Sequence, residues 1–319
     1  ELGGKRAARQ ALGGAEIGAA QRAGDVTRVT IATRAAGRFI DVLAAQEHVE
    51  HAQERIAMAR ALQREVGRWV SAARNPDSDL RAAEIAVADA ELKRDQALER
   101  LESTRHALAA SWGALTVDFG AVAGDTSVLP PLEQFQAMAA KLPSTPQQQL
   151  LESQAGVLTA RRNVALAAAR PDVSVGLGIR RLEATKDSGL VMSVSVPLGS
   201  RKRSAYSVSE VDHELSALSA RRQAQAVELQ QELFDIYQQL RQAQLEVESV
   251  RERQLPKAEA ALKQSRRGFE EGRFSYLALG QAQKTLFDLR EREVEAAARY
   301  LRLLVEADRL TASALDIRP

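Results

Sequence analysis

The sequence predicts a mainly α chain with a β-barrel portion: duplicated long antiparallel helical hairpins and one membrane β-hairpin. Three observations carry this reading. An alternating strand, Val191 to Leu198, leads through a basic turn (Gly199-Ser200-Arg201-Lys202-Arg203) straight into a helical pattern of roughly 70 residues. That pattern turns at Gly272-Arg273-Phe274-Ser275 and returns from Tyr276 to Leu310. A fainter copy of the same unit opens the chain, from Glu1 to Gly113.

Composition agrees with long helices packed through small side chains rather than with a globular core. Aromatic residues are only 4% of 319, while Ala and Leu abound. Charge nearly cancels, with 44 basic against 42 acidic residues, and no basic patch is interleaved with aromatics. Nucleic acid is therefore not an expected partner. The absence of cysteine excludes disulfides, Cys-ligated zinc and thiol catalysis within the chain. No apolar run reaches the 18 or so residues of a transmembrane helix. The residues from Glu1 onward do not read as a signal peptide either. Glu1-Leu2-Gly3-Gly4-Lys5-Arg6 reads as the middle of a repeat unit. The expectation is an N-terminally truncated chain, with any targeting segment lost.

The elements follow in order. Glu1 to Arg6 reads as a strand end and a turn, and Ala7 to Arg74 is proline-free and helical. Ile17, Val26, Val29, Phe39, Val42, Leu43, Val49, Ile56, Leu62 and Val66 fall at helical spacings. At 1.5 Å per residue such a helix is about 100 Å long. Asn75-Pro76-Asp77-Ser78 is a turn, with Asp77 or Ser78 as the expected cap of the next helix, Leu80 to Ser111. That helix carries Leu80, Ile85, Val87, Leu92, Leu98, Leu101 and Leu108, and Trp112-Gly113 ends it. Leu115 to Thr145 reads as irregular, with one short helix at Leu132 to Lys141. Gln147 to Ala169 is an Ala-rich helix started by Thr145-Pro146 and stopped by Pro171.

Two alternating runs come next. Val173, Val175, Leu177 and Ile179 share one face, and after a polar loop (Glu183 to Ser188) Leu190, Met192, Val194, Val196 and Leu198 share another. Small or polar residues fill the positions between, apart from Val191. Strands of about ten residues, apolar on one side and small or polar on the other, are the pattern of a membrane β-barrel.

The helix after Arg203 shows heptad-like spacing: Val208, Val211, Leu215 and Leu218, then Leu229, Leu233, Ile236, Leu240, Ala243, Val247 and Val250. Arg222 and Gln225 interrupt the stripe. Pro256 removes a backbone donor and is expected to kink or loosen the helix. The two halves align, Leu2-Gly3-Gly4-Lys5 with Leu198-Gly199-Ser200-Arg201, Phe39 with Phe234 and Ser78-Asp79-Leu80 with Ser275-Tyr276-Leu277, at offsets between 195 and 197. Pro256 has no counterpart in the first copy.

A lone β-hairpin leaves unpaired amides in hydrocarbon, at several kcal/mol each. A helix of about 100 Å must be buried along its length by neighbours. A symmetric ring of chains meets both needs.

Taken with VSVPLGSRKR entering a long helix and GFEEGRFSYLALGQAQKTLFDLR (Gly268 to Arg290) at the second turn, the whole chain resembles the TolC-like outer membrane efflux proteins. ELGGKRAAR at the start and the segment Arg38 to Gln46 look particularly like the cobalt-zinc-cadmium subgroup, the outer membrane component of heavy-metal RND pumps. The resemblance implies a homotrimer in which each chain adds four strands to a twelve-stranded barrel in the outer membrane of a Gram-negative bacterium, its helices forming a periplasmic tunnel. It implies four divisions: 1–113 as the first repeat, 114–170 as equatorial connection and helix leading to the membrane, 171–199 as transmembrane β-hairpin, and 200–319 as the second repeat. The expected membrane-strand residues are Val173, Val175, Leu177, Ile179, Leu190, Met192, Val194 and Val196, facing outer membrane lipid.

The resemblance also makes the helical turns periplasmic tips that meet a membrane-fusion adaptor, itself linked to an inner-membrane RND pump. The residues implied are Asn75, Asp77, Ser78 and Leu80 at the first tip and Gly272, Arg273, Ser275 and Leu277 at the second. Some members narrow the tunnel with aspartates just after the second tip. Ala278 and Gln281 match those positions and are not acidic, so an aspartate gate does not carry over. Asp77 and Asp79 put negative charge near the first tip and complete the set of pore-constriction candidates.

Other readings are plainer. His48 and His51, three apart, read as a solvated surface pair rather than a metal site. Met58, Met138 and Met192 read as packing. Arg201, Lys202 and Arg203 suit the lipid headgroup boundary where a strand ends. No phosphate loop, nucleophile or spaced carboxylate pair points to an enzyme, and neither cofactor nor resident metal is expected. The function implied is a passive exit duct, with heavy-metal cations as cargo. The alternatives are a duct for organic toxicants or drugs, and a soluble coiled-coil scaffold whose residues 171 to 198 form a surface hairpin.

Overall fold

The computed structural model describes residues 3–184 and 186–312. The expected strand end at Glu1 and Leu2 lies outside them. So do Thr185 of the polar loop and the last residues of the second repeat. The helices are α1 (Lys5–Ser71), α2 (Asp77–Ala109), α3 (Phe135–Ala139), α4 (Pro146–Ala167), α5 (Ser200–Glu248), α6 (Leu255–Glu270) and α7 (Tyr276–Thr311). Strands β1 (Ser174–Leu182) and β2 (Asp187–Ser195) lie between α4 and α5. A π-helical segment, Ser249–Gln254, joins α5 to α6. With 67 residues, α1 is about 100 Å long.

The chain divides into two compact units. The first takes in the start of α1 to Val29, then Met138–Gln231, and the described residues Thr311 and Ala312. It holds the sheet. β1 and β2 pair antiparallel, with Val175 opposite Val194, Leu177 opposite Met192 and Ile179 opposite Leu190. The alternate pairs are Ser174 with Ser195, Gly176 with Ser193 and Gly178 with Val191. From Val175 to Ile179 and Leu190 to Val194 one face is apolar, as the alternation predicts, with Arg181 opposite Ser188 at its end; the other face is small or polar apart from Val191 and Leu182. All residues of both strands are exposed. The strands are shorter than expected: Val173, Val196, Pro197 and Leu198 lie outside the ladder, and β2 begins at Asp187, within the expected loop. Pro197 has no N–H to continue pairing. Below the hairpin, Lys5 Nζ lies 2.7 Å from Asp172, Arg162 Nε 2.6 Å from Asp212, and Ser204 donates to the Ala165 carbonyl.

The second unit comprises Thr30–Ala137 and Glu232–Leu310. Its core is the heptad stripe. Leu233, Ile236, Leu240, Ala243, Val247 and Val250 are all buried, as are Val42, Val49, Ile56, Leu62 and Val66 of α1. Small residues let neighbours approach closely: Val247 packs with Ala296 and Ala297, and Ile40 and Ala44 pack with Val294 and Ala298. On α2 the buried residues are Ala83, Val87, Ala90, Leu108 and Ala109, whereas the expected Ile85, Leu92 and Leu98 are exposed, Ile85 by 70%. Ile17 and Phe39 of α1 are likewise exposed. The apolar list overstates the core because a single chain buries only one stripe of each helix.

The connection from Gly113 to Gln134 has no regular structure, so side chains satisfy its backbone. Gln46 both accepts from the Val122 N–H (2.8 Å) and donates to its carbonyl (3.0 Å). Glu47 accepts from Thr126, and Tyr300 donates to Pro130 O at 2.6 Å. The short helix expected at Leu132 to Lys141 contracts to Phe135–Ala139, where Phe135 meets Phe234 edge-on at 5.5 Å.

The repeat aligns differently from the sequence expectation. Gly4 and Gly199, both at positive φ, precede α1 and α5 at an offset of 195. Ala73 and Gly272, both at positive φ, follow α1 and α6 at 199. Ser275 therefore matches Pro76, not Ser78. The second copy is longer, and its π-helical segment precedes Pro256, whose missing N–H leaves a carbonyl one turn back free of its α-helical partner. The expected loosening takes that form.

Candidate functional site: the paired helical turns

The two turns that end α1 and α6 are built alike and lie in one hydrophobic cluster. At the second, Arg273 N–H donates to Gly268 O (2.8 Å) and Gly272 N–H to Phe269 O (2.9 Å), with Gly272 at φ +71°. At the first, Arg74 N–H donates to Trp69 O (2.8 Å) and Ala73 N–H to Val70 O (2.9 Å), with Ala73 at φ +55°. Each is a Schellman ending, which satisfies carbonyls the helix leaves open. Trp69 stacks on Phe269 with centroids 4.5 Å apart, over Leu62, Val66, Ala83, Tyr276 and Leu279. Sequence reasoning missed Trp69 and took Phe269 only as part of the helical stripe. Their position one turn before each ending was the available signal.

The restarts differ. Pro76, extended at φ −70° and ψ 152°, occupies the N-cap of α2, and no side chain caps it. The expected caps, Asp77 and Ser78, instead lie in the helix, where Asp77 and Asp79 place negative charge at its positive end. Asn75 donates to Asp79 at 2.8 Å, and Arg81 lies 3.5 Å from Asp77. Leu80 packs partly buried against the cluster. At α7, Ser275 Oγ accepts from Ala278 N–H at 3.3 Å, a side-chain cap. Arg273 pairs with Glu271, and Leu277 is 76% exposed. Burial, then the Asp79 carboxylate, raises the Tyr276 phenol above its ordinary value.

The constriction candidates do not converge. Gln281 and Leu277 line a groove with Arg55, Ile85, Asp89 and Lys284. Ala278 is not among that groove's lining, Asp79 is held by Asn75, and Asp77 faces Arg81.

His48 and His51 are not a solvated pair. His48 Nε2 is 3.2 Å from Glu295, whose carboxylate is 3.4 Å from Arg100. His51 Nδ1 is buried without a hydrogen-bond partner, and burial, then Arg290, lowers its pKa. The sequence reading failed because three helices, not one, cover this layer. Among the described residues, no three His, Asp or Glu side chains gather to hold a metal ion. No described helix is long and apolar enough to cross a membrane.

The fold these elements build is that of the TolC-like outer membrane channels. Against the crystal structure of CusC the TM-score is 0.80, with 14% identity over 98% of this chain and 75% of that one. VceC, the outer membrane protein of Vibrio cholerae, gives 0.77, with 15% identity over 98% of this chain and 77% of that one. MtrE, the Neisseria gonorrhoeae outer membrane channel in its open state, gives 0.78, with 15% identity over 98% and 73%. In sequence the chain is similar to the cobalt-zinc-cadmium resistance protein CzcC of Cupriavidus metallidurans, 27% identical over 317 residues, 97% of this chain and 74% of that protein. No family model matches.

Proposed function

We propose that this chain is the outer membrane exit duct of a tripartite RND-type efflux system in a Gram-negative bacterium, and that its cargo is heavy-metal cations. The observation that carries the cargo is the similarity to CzcC along 97% of the chain. The duct itself is supported by the channel fold and by a β-hairpin exposed on both faces, one of them apolar over three consecutive pairs, Val175 with Val194 to Ile179 with Leu190. A soluble scaffold gains nothing from such a face, because exposed apolar strands invite aggregation.

In this reading three copies close one barrel, with Val175, Leu177, Ile179, Leu190, Met192 and Val194 toward lipid. Residues 1–113 and 200–319 act as the two repeats, 114–170 as connection and 171–199 as membrane hairpin. The turns at Asn75–Leu80 and Gly272–Leu277 meet a periplasmic adaptor, which links to the inner-membrane pump. Asp77, Asp79, Ala278 and Gln281 are positions near the periplasmic mouth. The duct does no chemistry.

Deleting the gene and scoring tolerance tests the cargo. Tolerance of zinc, cobalt or cadmium should fall while that of organic toxicants is unchanged. Unchanged metal tolerance with lost toxicant tolerance would replace metals by organic cargo.

A further inference from the structure

The two helix endings share more than backbone geometry. Shifted by the offset of 199 that superimposes Ala73 on Gly272, Arg64 falls on Lys263 and Arg68 on Arg267. Each copy thus carries two cations at i and i+4, one helical face, within three turns of its end. All four are exposed, and none makes an ion pair among the described residues. Neighbouring cations are tied: Arg266 to Glu270 and Arg273 to Glu271. Elsewhere in the same unit some cations bridge helices, as Arg290 does to Glu54 (2.6 Å) and Arg302 to Asp41 (2.6 Å), while Arg241, Arg253 and Lys257 are, like these four, exposed without an ion pair among the described residues. Glu65, beside Arg64, answers neither cation of its pair.

On α6 the pair rims a shallow groove floored by Ala260 and Gly268 and ended by Phe274, which is 49% exposed. Phe274 lies there because Gly268 has no side chain: an added Cβ would come within 2.8 Å of its ring.

We propose that these two faces dock acidic α-helices of a periplasmic partner, with carboxylates at i,i+4 spacing set against Lys263/Arg267 and Arg64/Arg68 and an apolar side chain on Phe274. This rests on the duct reading and names the partner's chemistry at its tips. A helix suits the site because cations one turn apart match carboxylates one turn apart. A membrane surface suits it less, since Phe274 is the one large apolar side chain among the described lining residues and interfacial binding needs a broad apolar face.

The test uses full-length protein in detergent and a labelled antiparallel helical hairpin peptide with Glu at every outward i,i+4 position. Its Gln twin is the control. Anisotropy should show the Glu hairpin binding at low salt and about tenfold weaker at high salt. The Gln twin should not bind. K263E/R267E and R64E/R68E should each weaken binding, and together abolish it, with planar-bilayer conductance unchanged.

Equal binding by the Gln twin, undiminished binding to the fourfold variant, or no binding of the Glu hairpin overturns the proposal. So does charge-dependent capture of phosphatidylglycerol vesicles in place of the hairpin. A fourfold variant smaller than wild type in solution assigns these faces to a second copy and overturns it too. Wild-type protein that binds the hairpin but conducts no ions would overturn the duct reading alone.

Discussion

Ala73 and Gly272 hold the same left-handed position in two copies of one helix ending, and only the second is glycine. A side chain in this conformation costs about 1–2 kcal/mol, against about 0.5–1 kcal/mol for the entropy glycine loses. Ala73→Gly should therefore stabilise the chain by up to about 1 kcal/mol, and Gly272→Ala should destabilise it by a similar amount. Thermal unfolding followed by circular dichroism checks both. A lower Tm for Ala73→Gly would show that the ending tolerates Ala without strain.

Gly268 and Phe274 form a second linked pair. The Gly268→Ala methyl would strike the Phe274 ring and displace the turn, at about 1–3 kcal/mol. Phe274→Ala removes the obstacle, so the double variant should be more stable than the sum of the singles. A double-mutant cycle in denaturant reads the coupling, and simple additivity would contradict the contact.

The π-helical segment turns Arg251 toward two partners. Its Nε lies 2.7 Å from Glu293 and its Nη1 2.7 Å from Ser127 O, tying the irregular connection to the helices. Arg251→Met keeps the stem and removes both bonds. The side chain is partly exposed, so the loss should be only about 1 kcal/mol. Amide exchange in residues 120–130 should quicken before the helices respond. Unchanged exchange there would mean that Gln46 and Glu47 alone hold the connection.

What the sequence showed follows from periodicity. Leu233 to Val250 gave the buried stripe and Val175 to Val194 the strand faces, because repeats of 3.5 and 2 survive whatever packs on them. Ile85 and Leu92 fit the helical spacing yet are exposed, because spacing alone does not say which stripe a single chain covers. The first helix ending was hidden because Ala73 does what glycine usually does. The turn was found through Pro76, but the repeat was misaligned on a serine. His48 and His51 looked solvated because Glu295 and Arg290 come from almost 250 residues away.

That His layer has a pH consequence. Burial first, then Arg290, holds the His51 pKa below 6.5, while Glu54 and Glu47 oppose and His48 adds to the shift. Well above pH 6.5 the ring is neutral in both folded and unfolded chains and contributes no pH dependence. As pH falls below that value the unfolded chain takes up the proton more readily, so stability drops until the folded value is passed. His51→Leu should therefore show a smaller fall in Tm between neutral and mildly acidic buffer than the wild type. An identical fall would move the acid sensitivity to other groups.

In the proposed duct, a single step of register along the hairpin separates lipid from lumen. Leu177 pairs with Met192 on the apolar face, and Ser193 pairs with Gly176 on the other. An arginine at Leu177 must meet hydrocarbon in a closed barrel, at up to about 2–4 kcal/mol near the midplane. Leu177→Arg should therefore lower the amount recovered in the outer membrane fraction. Ser193→Arg, opposite a glycine that leaves room for it, should leave recovery intact and reduce cation conductance by placing positive charge in the lumen. Swapped results, with Ser193→Arg blocking insertion and Leu177→Arg altering conductance, would reverse the assignment of faces, since a one-residue slip exchanges every side chain between them.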